Sequence, residues 1–190
     1  MLEKKIALLT SVTFNNIGNG FIDLGAEALM KALPLNAELF KVSSNANFAA
    51  TMGQMFMLKE NPIINWLWVH TMQRAAKKLH DRSYKTVKTQ NIFSMASMVK
   101  CDYFIIPGCV LTVPFFTIYG DLIKRKAEQG SKIIFLGASG NFYTEYEVKF
   151  VSEYLRKLRP YAIMTRDSLA YKYYANFTKN SYNGIDNVFF

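Results

Sequence analysis

Five short apolar runs, residues 5–12, 37–42, 102–107, 132–137 and 161–165, alternate along this chain with longer stretches of helical spacing. Within the runs, Ile, Val, Leu and Phe follow one another with little polar alternation, as in strands covered on both faces. Strands of that kind belong to parallel sheets, whose neighbours cannot be joined by a tight turn and need a crossover, usually a helix. The alternation therefore predicts βαβ units: an α/β domain with a parallel sheet flanked by helices. The last stretch, residues 181–190, can supply a further strand.

The helical stretches carry their own start and stop signals. After the first run, Ile22, Ala26, Leu29, Met30 and Leu33 fall on one helical face, Lys31 suits the negative end of the dipole, and Pro34 stops the helix. Residues 115–129 form a second helical pattern, with Lys124, Arg125 and Lys126 in its last turns and Gly130 placed to end it. Thr144 with Glu147 three residues on reads as a capping box. Behind it Val148, Val151, Tyr154, Leu155 and Leu158 make an apolar stripe opposite Glu153, Arg156 and Lys157. Residues 103–120 are uncharged and approach the length of a membrane span, but Pro107, Gly108 and Pro114 divide them into strand, loop and helix start. Residues 43–88 interrupt the alternation and read as a helical and loop insertion, with a helix over 62–80 behind a Met-rich loop. No repeat, low-complexity tract or linker marks a boundary, so residues 1–190 are one domain.

Charge enters when partners are considered. The net charge of +9, on a chain that is 51% hydrophobic and 19% charged, asks a packed globule to meet something acidic: nucleic acid, an anionic membrane or a phosphorylated small molecule. Arg74, Lys77, Lys78, Arg82, Lys85 and Lys88 read as a solvated helix face, and no nucleic-acid recognition pattern accompanies them, so a nucleic-acid partner is not expected. Phe56, Trp66 and Trp68 beside that run suit a peripheral membrane contact with a lipid-linked acceptor. Cys101 and Cys109 have neither zinc spacing nor a disulfide pattern, and the N-terminal apolar run lacks a cleavage site; a cytoplasmic setting is expected. His70 and His80 lie ten positions apart with no carboxylate at ligand spacing, so no metal site is predicted.

Candidate site residues lie in the loops after the strands, where ligands bind in open parallel sheets. Asn15, Asn16, Gly18, Asn19 and Gly20 predict a turn after the first strand, its glycines open to conformations closed to other residues. That turn either holds an anion or a sugar hydroxyl, or is a plain capped βα turn. It matches neither phosphate-binding glycine motif, and Asp23, placed in the helix's first turn, would repel an anion. Arg166 follows a strand and precedes a helix, where its planar fork can hold a phosphate or carboxylate while Asp167 or Ser168 caps the helix. The alternative is a structural Arg166–Asp167 pair. Residues 107–112, with Gly108 and Cys109, and residues 137–145, with Gly137, Ser139 and Gly140, face the same crevice. Ser139 is not in a nucleophile-elbow context.

Four stretches in this order resemble the polysaccharide pyruvyl transferase family: NIGNGFIDLGAEALMKAL, CDYFIIPGCVL, GSKIIFLGASG, and AIMTRDSLAYKYY followed by GIDNVFF. The resemblance runs from Ile6 to Phe190, weakest over 43–88. It implies a Rossmann-like domain, the N-terminal half of a two-domain enzyme of GT-B type, which moves the enolpyruvyl unit of phosphoenolpyruvate onto a sugar as a ketal in cell-surface glycan synthesis. Phosphoenolpyruvate is then a donor substrate, and no cofactor or metal is implied. Asn16, Gly18 and Asn19 match the family's N-x-G-D element, Gly108 and Cys109 its paired glycines, Arg166, Asp167 and Ser168 its R-D-S element, and Asp186 the aspartate that closes the first domain. Asn19 stands where the family has aspartate and Cys109 where it has glycine. The family's second domain is not within these 190 residues, so a partner subunit or further domain is expected to complete the donor site. The acceptor is expected to be a glycan or lipid-linked sugar at the inner face of the membrane. A GT-B-like glycosyltransferase using a nucleotide sugar, and a non-catalytic anion- or membrane-binding domain, are the other readings.

Overall fold

A computed structural model of the protein describes residues 3–10, 17–34, 36–43 and 100–189. Asn15, Asn16 and, beyond Ser43, the insertion with its aromatic, histidine and basic residues lie outside the described residues.

The strands are β1 (Lys4–Thr10), β2 (Ala37–Ser43), β3 (Tyr103–Pro107), β4 (Lys132–Ala138), β5 (Ala162–Thr165) and β6 (Ser181–Asn183). The helices are α1 (Ile17–Ala32), α2 (Val113–Glu128), α3 (Glu145–Leu158) and α4 (Ser168–Tyr174). All six strands are parallel, in the order β2-β1-β3-β4-β5-β6. This is the expected Rossmann-like sheet flanked by helices. The order reverses between β1 and β3, the kind of position at which open parallel sheets bind ligands.

In the central strands burial runs through to the C-terminal residues. In β1, Lys4 and Lys5 are exposed and the next five residues are buried. On one face Ile6, Leu8, Ile105 and Leu136 pack with Ala26, Leu29 and Met30 of α1. On the other, Phe116 of α2 meets Phe135 at 6.0 Å and Tyr154 of α3 at 4.5 Å between ring centroids. The α1 face also holds an apolar cavity of about 650 Å³, lined by Ile6, Met30, Leu33, Ile105, Ile134 and Met164 among others, toward the N-terminal half of the sheet.

Helix boundaries follow the expected chemistry with four differences. Thr112 caps α2 by accepting from Phe115 N–H, and Gly130 ends it at φ +89°. Lys124 and Arg125 are exposed, but Lys126 is buried and its Nζ donates to Gln129 Oε1 at 3.3 Å. Thr144 caps α3, yet Glu147 does not reach back to the cap's own N–H: its Oε2 accepts from Phe142 and Tyr143, at 3.0 and 2.8 Å, and so clamps the preceding loop. The third difference is at α1, which begins at Ile17, so Gly18, Asn19 and Gly20 lie in its first turn and not in a connecting turn. Neither glycine has positive φ. Asp23 is thereby moved into the second turn, where it is buried and no longer faces an anion at the helix start. Finally, β6 stops at Asn183, and residues 187–189 form a 3₁₀ turn. The uncharged stretch divides as expected into β3, a loop and the start of α2, and no helix among the described residues is long and apolar enough to cross a membrane.

Candidate functional site

The C-terminal edge of the sheet collects four loops. That after β3 turns at Gly108, whose φ of +91° explains why a glycine is needed there and whose missing Cβ would lie 3.4 Å from Ile22 of α1. Gly108 is tied to the next loop through its carbonyl, which accepts from Ser139 N–H at 3.2 Å, and Leu111 N–H donates to Ser139 O at 3.0 Å. Cys109 is exposed, and its thiol donates to Gly140 O at 3.2 Å. The loops after β3 and β4 are therefore one hydrogen-bonded unit.

Arg166 stands at the end of β5, its N–H donating to Ala138 O. Its Nε donates to Ser139 Oγ at 3.0 Å, and its Nη1 forms a short ion pair with Asp186 Oδ2. Both charged side chains keep about a quarter of their surface, 23% and 24%. Among the described residues Nη2 has no partner. The Arg166–Asp167 pair considered from sequence does not form. Asp167 instead caps α4, Oδ1 accepting from Ala170 N–H at 2.7 Å, while both its oxygens receive the Tyr143 hydroxyl at 2.8–2.9 Å. Capping thus falls to Asp167, and Ser168 is an exposed first helical residue. Because Asp167 already sits on the α4 N–H groups, the guanidinium is the cationic feature of this corner.

Tyr143 is the pivot of the loop after β4. It adopts φ +51°, accepts from Gly140 N–H at 2.8 Å and stacks on Tyr173 at 6.0 Å. Gly140 is obligatory, since a Cβ there would lie 2.6 Å from the Tyr143 ring. Burial, and then the bond to Asp167, push the Tyr143 phenol well above its ordinary pKa, so the phenol stays protonated and donates. Tyr174, fully buried nearby, is pushed the same way by burial and by Glu147, and its hydroxyl has no partner among the described residues.

A fourth segment, residues 184–189, runs from β6 across the edge to α1. Gly184 N–H donates to Thr165 O at 2.8 Å, and Asp186 meets Arg166. Asn187, buried, donates through Nδ2 to Leu136 O at 3.2 Å. It fits only because two glycines make room: a Cβ on Gly137, which has φ +55°, would lie 2.6 Å from its Oδ1, and one on Gly25 would lie 1.8 Å from its carbonyl oxygen.

Of the residues singled out from sequence, Gly108, Cys109, Gly137, Ser139, Gly140, Arg166, Asp167 and Ser168 share this edge, with Asp186. Gly18, Asn19 and Gly20 begin the helix that follows β1, and Asn16 lies outside the described residues. Sequence reasoning did not anticipate Tyr143, Asn187 and Gly25; Glu147 was legible only as a cap. The 650 Å³ cavity is not part of the site, because none of these edge residues lines it. No group of His, Cys, Asp and Glu among the described residues is arranged to hold a metal ion. Compared with protein-family models, curated proteins and solved structures, the chain matches none.

Proposed function

We propose that this domain binds phosphoenolpyruvate at Arg166 and contributes to its transfer onto a sugar as a ketal, as the pyruvyl transferase resemblance implies. One observation carries the reading. Stretches about 20 to 80 positions apart that bear the resemblance, Gly108–Cys109, Gly137–Gly140, Arg166–Ser168 and Asp186, meet at one edge, where a partly exposed guanidinium joins Ser139 to Asp186. A guanidinium held on Ser139 presents a planar donor set to a carboxylate or phosphate. In the transfer, the donor's methylene gains a proton, its C2 bonds to two acceptor hydroxyl oxygens, and phosphate leaves. One hydroxyl proton is thus accounted for on the methyl group and the other on phosphate. Fixed positive charge at Arg166 stabilises charge developing on the donor.

The test is thermal stabilisation by phosphoenolpyruvate against a nucleotide sugar, with Arg166→Ala as control. Phosphoenolpyruvate is expected to raise Tm in the parent protein and not in Arg166→Ala. In an active assembly the variant should lose at least about tenfold in kcat/KM, roughly 1.4 kcal/mol of transition-state stabilisation. A response to the nucleotide sugar alone would replace this reading with a glycosyltransferase. A response to neither would leave a non-catalytic binding domain.

A further inference from the structure

The segment 184–189 crosses the edge at which the donor is proposed to bind, and one of its side chains already occupies the guanidinium. Asp186 takes one N–H of Nη1 of Arg166 and Ser139 takes Nε–H, so the second N–H of Nη1 and the two of Nη2 are left for an external anion. An anion placed there would lie beside the Asp186 carboxylate. Two like charges about 4 Å apart repel by about 1 kcal/mol in water and about 4 kcal/mol near a protein surface. Donor and Asp186 therefore compete.

We propose that segment 184–189 is a self-inhibitory strap: its Asp186 carboxylate holds the place of the donor's anionic group, and donor binding displaces Asp186 and lifts the strap from α1. This rests on the reading of Arg166 as the donor's anion site. The strap is built to be released. Ile185, Val188 and Phe189 are 57%, 43% and 74% exposed, so little apolar burial holds it. Its anchors are the Asp186–Arg166 pair, the Asn187–Leu136 hydrogen bond, the Gly184–Thr165 hydrogen bond and the fit of Asn187 over Gly25 and Gly137. Losing the first leaves one side-chain hydrogen bond, one backbone hydrogen bond at the start of the segment and a steric fit.

The experiment uses the full chain, with phosphoenolpyruvate and inorganic phosphate as separate probes. Calorimetry gives affinity, and amide exchange follows residues 187–189. Asp186→Asn keeps the shape and removes the charge; Gly25→Ala dislodges the strap while altering neither Arg166 nor Asp186 chemically. Each variant is expected to bind phosphoenolpyruvate at least about tenfold more tightly than the parent, and in the parent the ligand should speed exchange at 187–189. Inorganic phosphate should act in the same sense but more weakly if the carboxylate also contributes. Equal affinities in all three proteins, with strap exchange unchanged by ligand, would overturn the strap and leave the anion site standing. Failure of either probe to bind any of the three, with folding confirmed by circular dichroism, would overturn the anion-site reading and the strap together.

Discussion

Gly25→Ala is the sharpest structural test of the strap, because it adds one methyl group on α1 and alters neither charged residue of the pair. In an ordinary helix interior the change would stabilise by about 0.5–1 kcal/mol, since alanine has less backbone entropy to lose. Here the added Cβ would sit 1.8 Å from the backbone oxygen of Asn187 and 2.6 Å from its carbonyl carbon. Backbone atoms cannot rotate out of the way as a flexible side chain can, so the strap must shift by more than 1 Å or leave, on ordinary contact distances of about 3.5 Å. Leaving forfeits the buried Asn187–Leu136 hydrogen bond, about 1 kcal/mol. It also forfeits a partly exposed Arg–Asp pair worth up to about 1 kcal/mol. Against the helical gain, the net loss is about 1 kcal/mol, which for a chain of this length lowers Tm by about 2–4 °C. Differential scanning calorimetry reads the shift, and amide exchange at 187–189 locates it. A Tm equal to or above that of the parent, with strap amides as protected as before, would show that the strap is not seated on α1 and would remove the steric argument.

The remaining predictions follow from the tyrosines and from Gly140. Tyr174→Phe removes a buried hydroxyl without a partner and is expected to leave stability unchanged or raise it by about 1 kcal/mol; a loss of more than about 1 kcal/mol in chemical denaturation would show that the hydroxyl is bonded. Tyr154 has its phenol pushed up to about 12 by burial, so between pH 10 and 12 the unfolded chain releases a proton that the native state keeps. Stability is therefore lost as pH rises through that window, and Tyr154→Phe should flatten the loss. Lys126, with its pKa lowered by burial, acts in the opposite sense below 10.5, so the comparison between parent and variant is the quantity to measure; identical pH profiles would refute the assignment to Tyr154. Gly140→Ala drives a Cβ into the Tyr143 ring and should free the Tyr143–Asp167 hydrogen bonds, observed as faster exchange of the Ala170 amide; unchanged exchange would refute the coupling.

Periodicity and punctuation were enough for the sheet because burial on both faces writes itself into the runs: Ile6, Ala7, Leu8 and Leu9 are all buried, as continuous apolarity demands. Caps at Thr112 and Thr144 were legible for a similarly local reason. The reading failed where spacing was long or the competing signal was local. Glycines and asparagines in Gly18–Gly20 spell a turn in any propensity scale, yet the helix extends through them to Ile17. Arg166 adjoins Asp167 in sequence, but that carboxylate is taken by the Ala170 N–H and by Tyr143, and the ion pair that Arg166 makes is with Asp186, 20 positions away, which no local spacing announces. Gly25, read as one more helical residue, is where another backbone must pass, and no sequence spacing announces such a contact.

The order of the strands also divides the labour of the edge. The strand order reverses between β1 and β3, beside the Gly108 loop, whereas Arg166 ends β5, two strands further on. At about 4.8 Å per strand that separation is roughly 10 Å, more than one small three-carbon donor spans. On the proposed reading, a donor held by Arg166 and Ser139 would not reach the β1/β3 half of the edge. Cys109, exposed and bonded to Gly140, lies on the boundary between the two. On the proposed reading, the acceptor sugar would occupy the β1/β3 half, beside the coupled Gly108 and Ser139 loops. On this arrangement the strap is more than a plug. It runs from the donor corner past β4 to α1, the helix that borders the acceptor half, so displacing Asp186 at one corner frees the surface of α1 around Gly25 at the other. Donor binding would thereby open the acceptor side, which gives an ordered addition, donor first, from the placement of a single aspartate.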